Sequence, residues 1–152
     1  MRIHGIDSDQ VQAWQAGALD AHQQVPVRRR ADQAGLPCRH CLGPIEAGAD
    51  FLVLSHRPFD TCQPYAEQGP ILLHADACPA YTSDALPPLF ARWNPLFLRA
   101  YGADDWIRYG DVRMCEGGQL LASAAPLLAD PEVGRLQVRS IWGCFLFEIA
   151  RS

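Results

Sequence analysis

Two short stretches carry residues able to do chemistry. The first is Pro37-Cys38-Arg39-His40-Cys41, and the second is Leu72-Leu73-His74-Ala75-Asp76-Ala77-Cys78. Together they read C-x2-C followed by H-x3-C. Cysteine thiolates and imidazole are the donors a tetrahedral metal such as zinc takes, and two ligand pairs joined by a hairpin are a common way to supply four. Cys38, Cys41, His74 and Cys78 are therefore the candidate metal ligands, with zinc as the candidate cofactor. His40 competes for a place at the same turn.

Two other chemistries fit the same residues. C-x2-C can be a redox or nucleophilic thiol site, and the neighbouring Arg39 and His40 would favour a thiolate. Cys38 with His74 as base would satisfy the logic of an activated nucleophile, although neither an orienting acid nor an oxyanion element stands out. The third reading is plain packing, since free cysteine is among the most buried residue types. Arginine offers a further possibility. Arg99, Arg108, Arg113 and Arg139 fall on or near expected strands, and guanidinium grips carboxylate or phosphate through two parallel hydrogen bonds. Arg39, Tyr65, Arg113 and Arg139 are the candidate ligand-binding residues. Salt bridges to Asp104, Asp105, Asp111 and Glu148 are the plainer account of such arginines.

The elements that must position these residues follow from periodicity and turn chemistry. Residues 2–6 read as a strand, and Asp7 or Ser8 can cap a helix of about three turns carrying Val11 and Trp14. Residues 23–29 read as an edge strand limited by Pro26. Residues 49–56 and 71–75 are apolar runs either side of a proline-rich loop. If they pair antiparallel, His74 and Cys78 return to the cysteine turn. A short helix is expected near residue 90, and strands over 96–101 and 105–109. A helix should start at Gly117 or Gly118 and be interrupted by Pro126. Two final strands cover 134–140 and 143–151, with Phe145, Phe147 and Ile149 on one face and Trp142, Cys144 and Leu146 on the other. The pattern is α+β, a mostly antiparallel sheet with two or three helices.

The length of 152 residues points to one domain spanning 1–152. Apolar residues make up 49% and charged residues 20%, so a core forms without disulfide staples. The formal net charge of −4 argues against nucleic acid as a partner. All 13 basic residues are arginine, and Arg28-Arg29-Arg30 is too short a run for a nucleic-acid patch. The first residues have no apolar signal-peptide core and no stretch is long enough to span a bilayer. A cytoplasmic protein with reduced thiols is expected, with Cys62 exposed in its loop and Cys144 in the core.

Several segments resemble one bacterial family. "AGLPCRHCL", "EAGADFLVLSHRPF", "PYAEQGPILLHADAC" and "VRSIWGCFLFEIAR" are similar to members of the domain of unknown function 1203 family. The resemblance implies a small bacterial single-domain protein and carries no reaction or substrate. Pro37-Cys38-Arg39 is the form the family shares, whereas Cys41 and the His74–Cys78 pair are not general to it. A metal site would then belong to one branch. The expectation is a non-enzymatic domain that binds a small molecule or a protein, with a structural zinc site; the rival is a cysteine-dependent enzyme or thiol-redox protein centred on Cys38.

Overall fold

The computed structural model describes residues 1–152. Ten strands form a five-stranded sheet, a three-stranded sheet and a two-stranded ladder, all antiparallel, and with two α-helices they enclose two apolar clusters. Strand β1 (Arg2–His4) leads through Gly5 into α1 (Ser8–Gln15), followed by β2 (Val27–Arg30). A two-residue ladder, β3 (Leu36–Pro37) with β4 (Pro44–Ile45), brackets the cysteine turn. Then come β5 (Asp50–His56) and β6 (Gly69–His74). Next are β7 (Leu96–Tyr101), β8 (Arg113–Cys115), α2 (Leu120–Ala129), β9 (Arg135–Arg139) and β10 (Phe145–Ala150). The larger sheet has the order β1-β10-β9-β7-β8, and the smaller has the order β2-β5-β6. This is an α+β fold. No helix is long and apolar enough to cross a membrane.

The expected pairing of the two apolar runs is present. β5 and β6 are antiparallel neighbours in a register that sets Phe51 opposite His74, and β2 forms the edge beside β5. Asp7 caps α1, its Oδ1 accepting from the Asp9 and Gln10 amides. The helix ends at Gln15, shorter than expected, because Gly17 takes a left-handed conformation (φ 98°). Val11 and Trp14 pack it onto the small sheet in a cluster that includes Cys38, Ile45, Leu54, Leu73 and Phe145. The second cluster lies between the large sheet and α2, where Phe90, Leu98, Leu120, Val138 and Phe147 meet.

Four expectations change. Residues 105–109 do not form a strand. Asp104 Oδ1 accepts from the Trp106 amide and Asp105 adopts φ 63°, so the chain turns back on β7, and the next strand begins at Arg113. Pro126 sits inside α2 without ending it. The buried stripe Leu120, Ala124, Leu127 and Leu128 holds the helix together despite the missing N–H. A register shift between Phe145 and Phe147 sends these two rings to different clusters, Phe145 to the small sheet's and Phe147 to the large sheet's. Trp142 and Cys144 lie in the turn before β10 and not on the strand, with Trp142 80% exposed and Cys144 half-buried.

Gly117 marks the tightest junction. It follows β8, and its amide donates to the Trp93 carbonyl and to Asn94 Oδ1. A Cβ there would fall 1.9 Å from the Phe90 carbonyl oxygen, whereas at Gly118 the nearest atom would be 3.8 Å away. Gly117→Ala should therefore destabilise the protein by about 3 kcal/mol or more, and Gly118→Ala by less than about 1 kcal/mol. Urea denaturation of both variants checks this, and equal midpoints would refute the close approach.

Candidate metal centre

The cysteine turn is a knuckle of backbone hydrogen bonds. The Leu42 amide donates to the Cys38 carbonyl, and the Cys38 amide donates to the Gly43 carbonyl. Leu42 itself is 1% exposed and has φ 55°, a left-handed conformation costing about 1–2 kcal/mol for a residue with a side chain. Packing and the knuckle hold it there. Three neighbouring segments clamp the outside of the turn. The Arg39 amide donates to Leu72 on β6, the Ile6 amide donates to Arg39, and the Tyr81 amide donates to His40. Gly5 passes so close that a Cβ would lie 2.4 Å from the His40 carbonyl oxygen.

This framework brings Cys38, Cys41, His74 and Cys78 together. One donor atom from each lies within 4.8 Å of every other, a grouping that can hold a metal ion. Cys38 Sγ is 3.9 Å from Cys78 Sγ, and Cys41 Sγ is 3.5 Å from His74 Nδ1. The His74 amide donates to Cys38 Sγ at 3.5 Å. Cys38 is fully buried and the other three are half-buried. His40 stands outside the grouping. Its Nδ1 is 3.2 Å from Cys78 Sγ and its Nε2 is 2.9 Å from the Ser8 hydroxyl at the start of α1. It braces one sulfur from behind, as residues around metal ligands commonly do.

The electrostatics follow from crowding. The Cys38 thiol is pushed far down, because Cys41, Cys78 and His74 all hydrogen-bond to its thiolate. Cys78 is pushed far up by the same contacts, since a second thiolate beside Cys38 and Cys41 would meet like charge. His74 rises to about 10 through its hydrogen bonds with Cys38 and Cys41. A cation entering so crowded a set of thiols and imidazole would displace protons from it.

The remaining candidate residues are dispersed. Arg39 is 5% exposed and acts as an internal pin, its Nε donating to the Phe145 carbonyl and Nη1 to the Pro37 carbonyl. Burial brings its guanidinium down to about 10. Arg113 pairs opposite Leu98, and Leu98 pairs opposite Val138, which puts Arg113 on the α2 side of the large sheet. It donates to the Gly110 and Val112 carbonyls. Arg139 pairs opposite Phe97 and lies on the other side of the sheet. Tyr65 packs against Trp106 and Tyr109 on the loop joining β5 to β6, its hydroxyl accepting from Tyr109. The expected carboxylate partners also differ. Arg99 and Arg139 both reach Glu67, Arg108 reaches Glu132, and Arg135 takes Asp105 and Glu148.

Residues 35–151 match the family model described as Protein of unknown function (DUF1203). The chain belongs to this family. No curated protein and no solved structure matches it. The matched segment contains all four residues of the centre, while Gly5, Ile6 and Ser8, which brace it, lie before the segment.

Two cavities flank His56, one of about 680 Å³ and one of about 370 Å³. His56 sits edge-on to both Trp14 and Phe145. Burial, then the positive charge of Arg139, brings it down to about 4. The unfolded chain binds this proton near pH 6.5 and the folded chain does not, so stability falls as pH drops from about 6.5 to about 4. The loss attributable to His56 should be about 3 kcal/mol across that window. Denaturant unfolding at pH 7 and pH 4.5 checks it. His56→Gln, neutral throughout, should show a shallower acid loss than the unaltered protein, and parallel curves would contradict the assignment.

Proposed function

We propose that this chain is a non-enzymatic binding domain built around a structural zinc ion held by Cys38, Cys41, His74 and Cys78. The observation that carries the reading is ligand spacing. Tetrahedral zinc with bonds of about 2.3 Å to sulfur and about 2.0–2.1 Å to nitrogen sets its ligands about 3.8 Å apart between sulfurs and about 3.6 Å apart between sulfur and nitrogen. The Cys38–Cys78 and Cys41–His74 separations of 3.9 and 3.5 Å fit both edges. Four protein donors close the coordination shell, which is the arrangement of structural rather than catalytic sites. The binding role rests on Arg139 beside a cavity, with a small molecule or a protein as partner. Six free cysteines accord with a reducing, cytoplasmic setting.

One observation favours the rival, a cysteine-dependent enzyme or redox protein centred on Cys38. That thiol is strongly depressed, as a nucleophile's would be. Its side chain is 0% exposed, however, and a nucleophile must meet its substrate.

The purified protein should contain about one zinc per chain by elemental analysis. Stripping it with a chelator should lower the melting temperature. Cys38→Ala, Cys41→Ser and His74→Ala should each abolish zinc retention and cost several kcal/mol, because each removes one ligand of the same ion. In the native protein, alkylation should mark the exposed Cys62 rapidly and reach Cys38 only after chelation. A metal-free protein indifferent to chelator, or rapid alkylation of Cys38 with the fold intact, would overturn the zinc reading.

A further inference from the structure

The large sheet's polar face carries an uneven distribution of charge. On β9 the residues Arg135, Gln137 and Arg139 alternate with apolar Leu136 and Val138 and face away from α2. Arg99 on β7 lies opposite Gln137 and shares that face. At one end, Arg135 has two carboxylates, Asp105 at 2.9 Å and Glu148 at 3.3 Å. At the other end, Arg99 and Arg139 have only one between them. A single oxygen of Glu67, Oε2, is 2.6 Å from Arg99 Nη1 and 3.3 Å from Arg139 Nη1. The Glu67 side chain is 54% exposed and comes from the loop joining β5 to β6. Arg139 is 5% exposed; its Nη2 donates to Gln137 and its Nη1 to Gly143, but its Nε is buried without a partner.

A cavity of about 370 Å³ adjoins this end, walled by His56, Glu67, Gln68, Arg139, Trp142 and Cys144. That volume suits a small organic molecule. The larger cavity is richer in carboxylates, with Asp7, Asp20, Asp60 and Glu148 lining it against Arg57 and Arg135. Its Asp7 caps α1, its Asp20 accepts three backbone amides, and its Arg135 is paired. Guanidinium pairs hold planar carboxylates well, and the group already lying between Arg99 and Arg139 is a carboxylate.

We propose that this cavity binds a small organic carboxylate on Arg139 of its wall and on Arg99, which stands behind Glu67 and outside the wall, with the Glu67 side chain holding the anion's place until the ligand displaces it. The exposed Trp142 indole, also in the cavity wall, offers a flat apolar surface for the ligand's body. The inference rests on the reading of the chain as a binding domain and supplies its ligand class.

Benzoate is the probe, with benzylamine and inorganic phosphate as matched alternatives, followed by calorimetry and by the Trp142 indole resonance. Benzoate should bind the zinc-loaded protein and shift that resonance. Glu67→Gln, on an exposed side chain, should raise benzoate affinity about tenfold, and Arg99→Gln should lower it about tenfold. Arg139 is not the variant of choice, since its removal disturbs the buried network with Gln137. Unchanged benzoate affinity in Glu67→Gln would overturn the inference. Benzylamine or phosphate binding there in place of benzoate would overturn the carboxylate assignment and leave a binding domain standing. No shift with any of the three would overturn the inference outright, while zinc content measured on the same samples judges the metal reading separately.

Discussion

Three sulfurs and an imidazole packed within 4.8 Å of one another impose the strongest constraint in this molecule. Such a group tolerates neither full ionisation nor simple burial, because like charges repel and lone pairs need protons or a cation. The surrounding backbone is arranged to hold it. The left-handed Leu42 closes the knuckle, Gly5 lets the β1–α1 connection pass directly against it, and the Phe51–His74 register delivers the imidazole. His40 extends the arrangement to α1 through Ser8. A helix outside the family-matched segment is thereby tied to the chemistry inside it.

The same turn joins the two apolar clusters. Arg39 leaves the knuckle and hydrogen-bonds to the carbonyl of Phe145, at the bulge where β10 changes the direction of its side chains. One strand thus supplies Phe145 to one cluster and Phe147 to the other. A buried guanidinium is costly unless its donors are used, and here carbonyl oxygens take them. The polar face of β9 carries Arg135, Gln137 and Arg139, and its charge pairs adjoin the two cavities, Arg135 lining one and Arg139 the other.

The α+β class, the β5–β6 pair and the capped first helix were legible in the sequence because each is a local pattern. Alternation, apolar runs and Asp7 suffice for them. The four clustered residues were legible for a related reason: once two strands pair antiparallel, spacing alone returns His74 and Cys78 to Cys38 and Cys41. What escaped was long-range or conformational. The Ser8–His40 contact and the choice of Glu67 as partner for Arg99 and Arg139 leave no signature in neighbouring residues. The turn at Asp104–Asp105 was hidden by the apolar Trp106 and Ile107 beside it, which suggested a strand. The bulge in β10 reverses the face of Phe145 without any glycine or proline to announce it.

Strand β2 has a consequence of a different kind. It forms an outer edge of the small sheet, and all four of its residues are exposed. An open strand edge invites another chain to continue the sheet. Here the approaching backbone would meet Arg28, Arg29 and Arg30, with Pro26 just before them and Asp50 engaging the first and third. A second copy would bring its own three positive charges to the same line. The arginine run thus sets like charge against like along the one line where a second copy could extend the small sheet from β2.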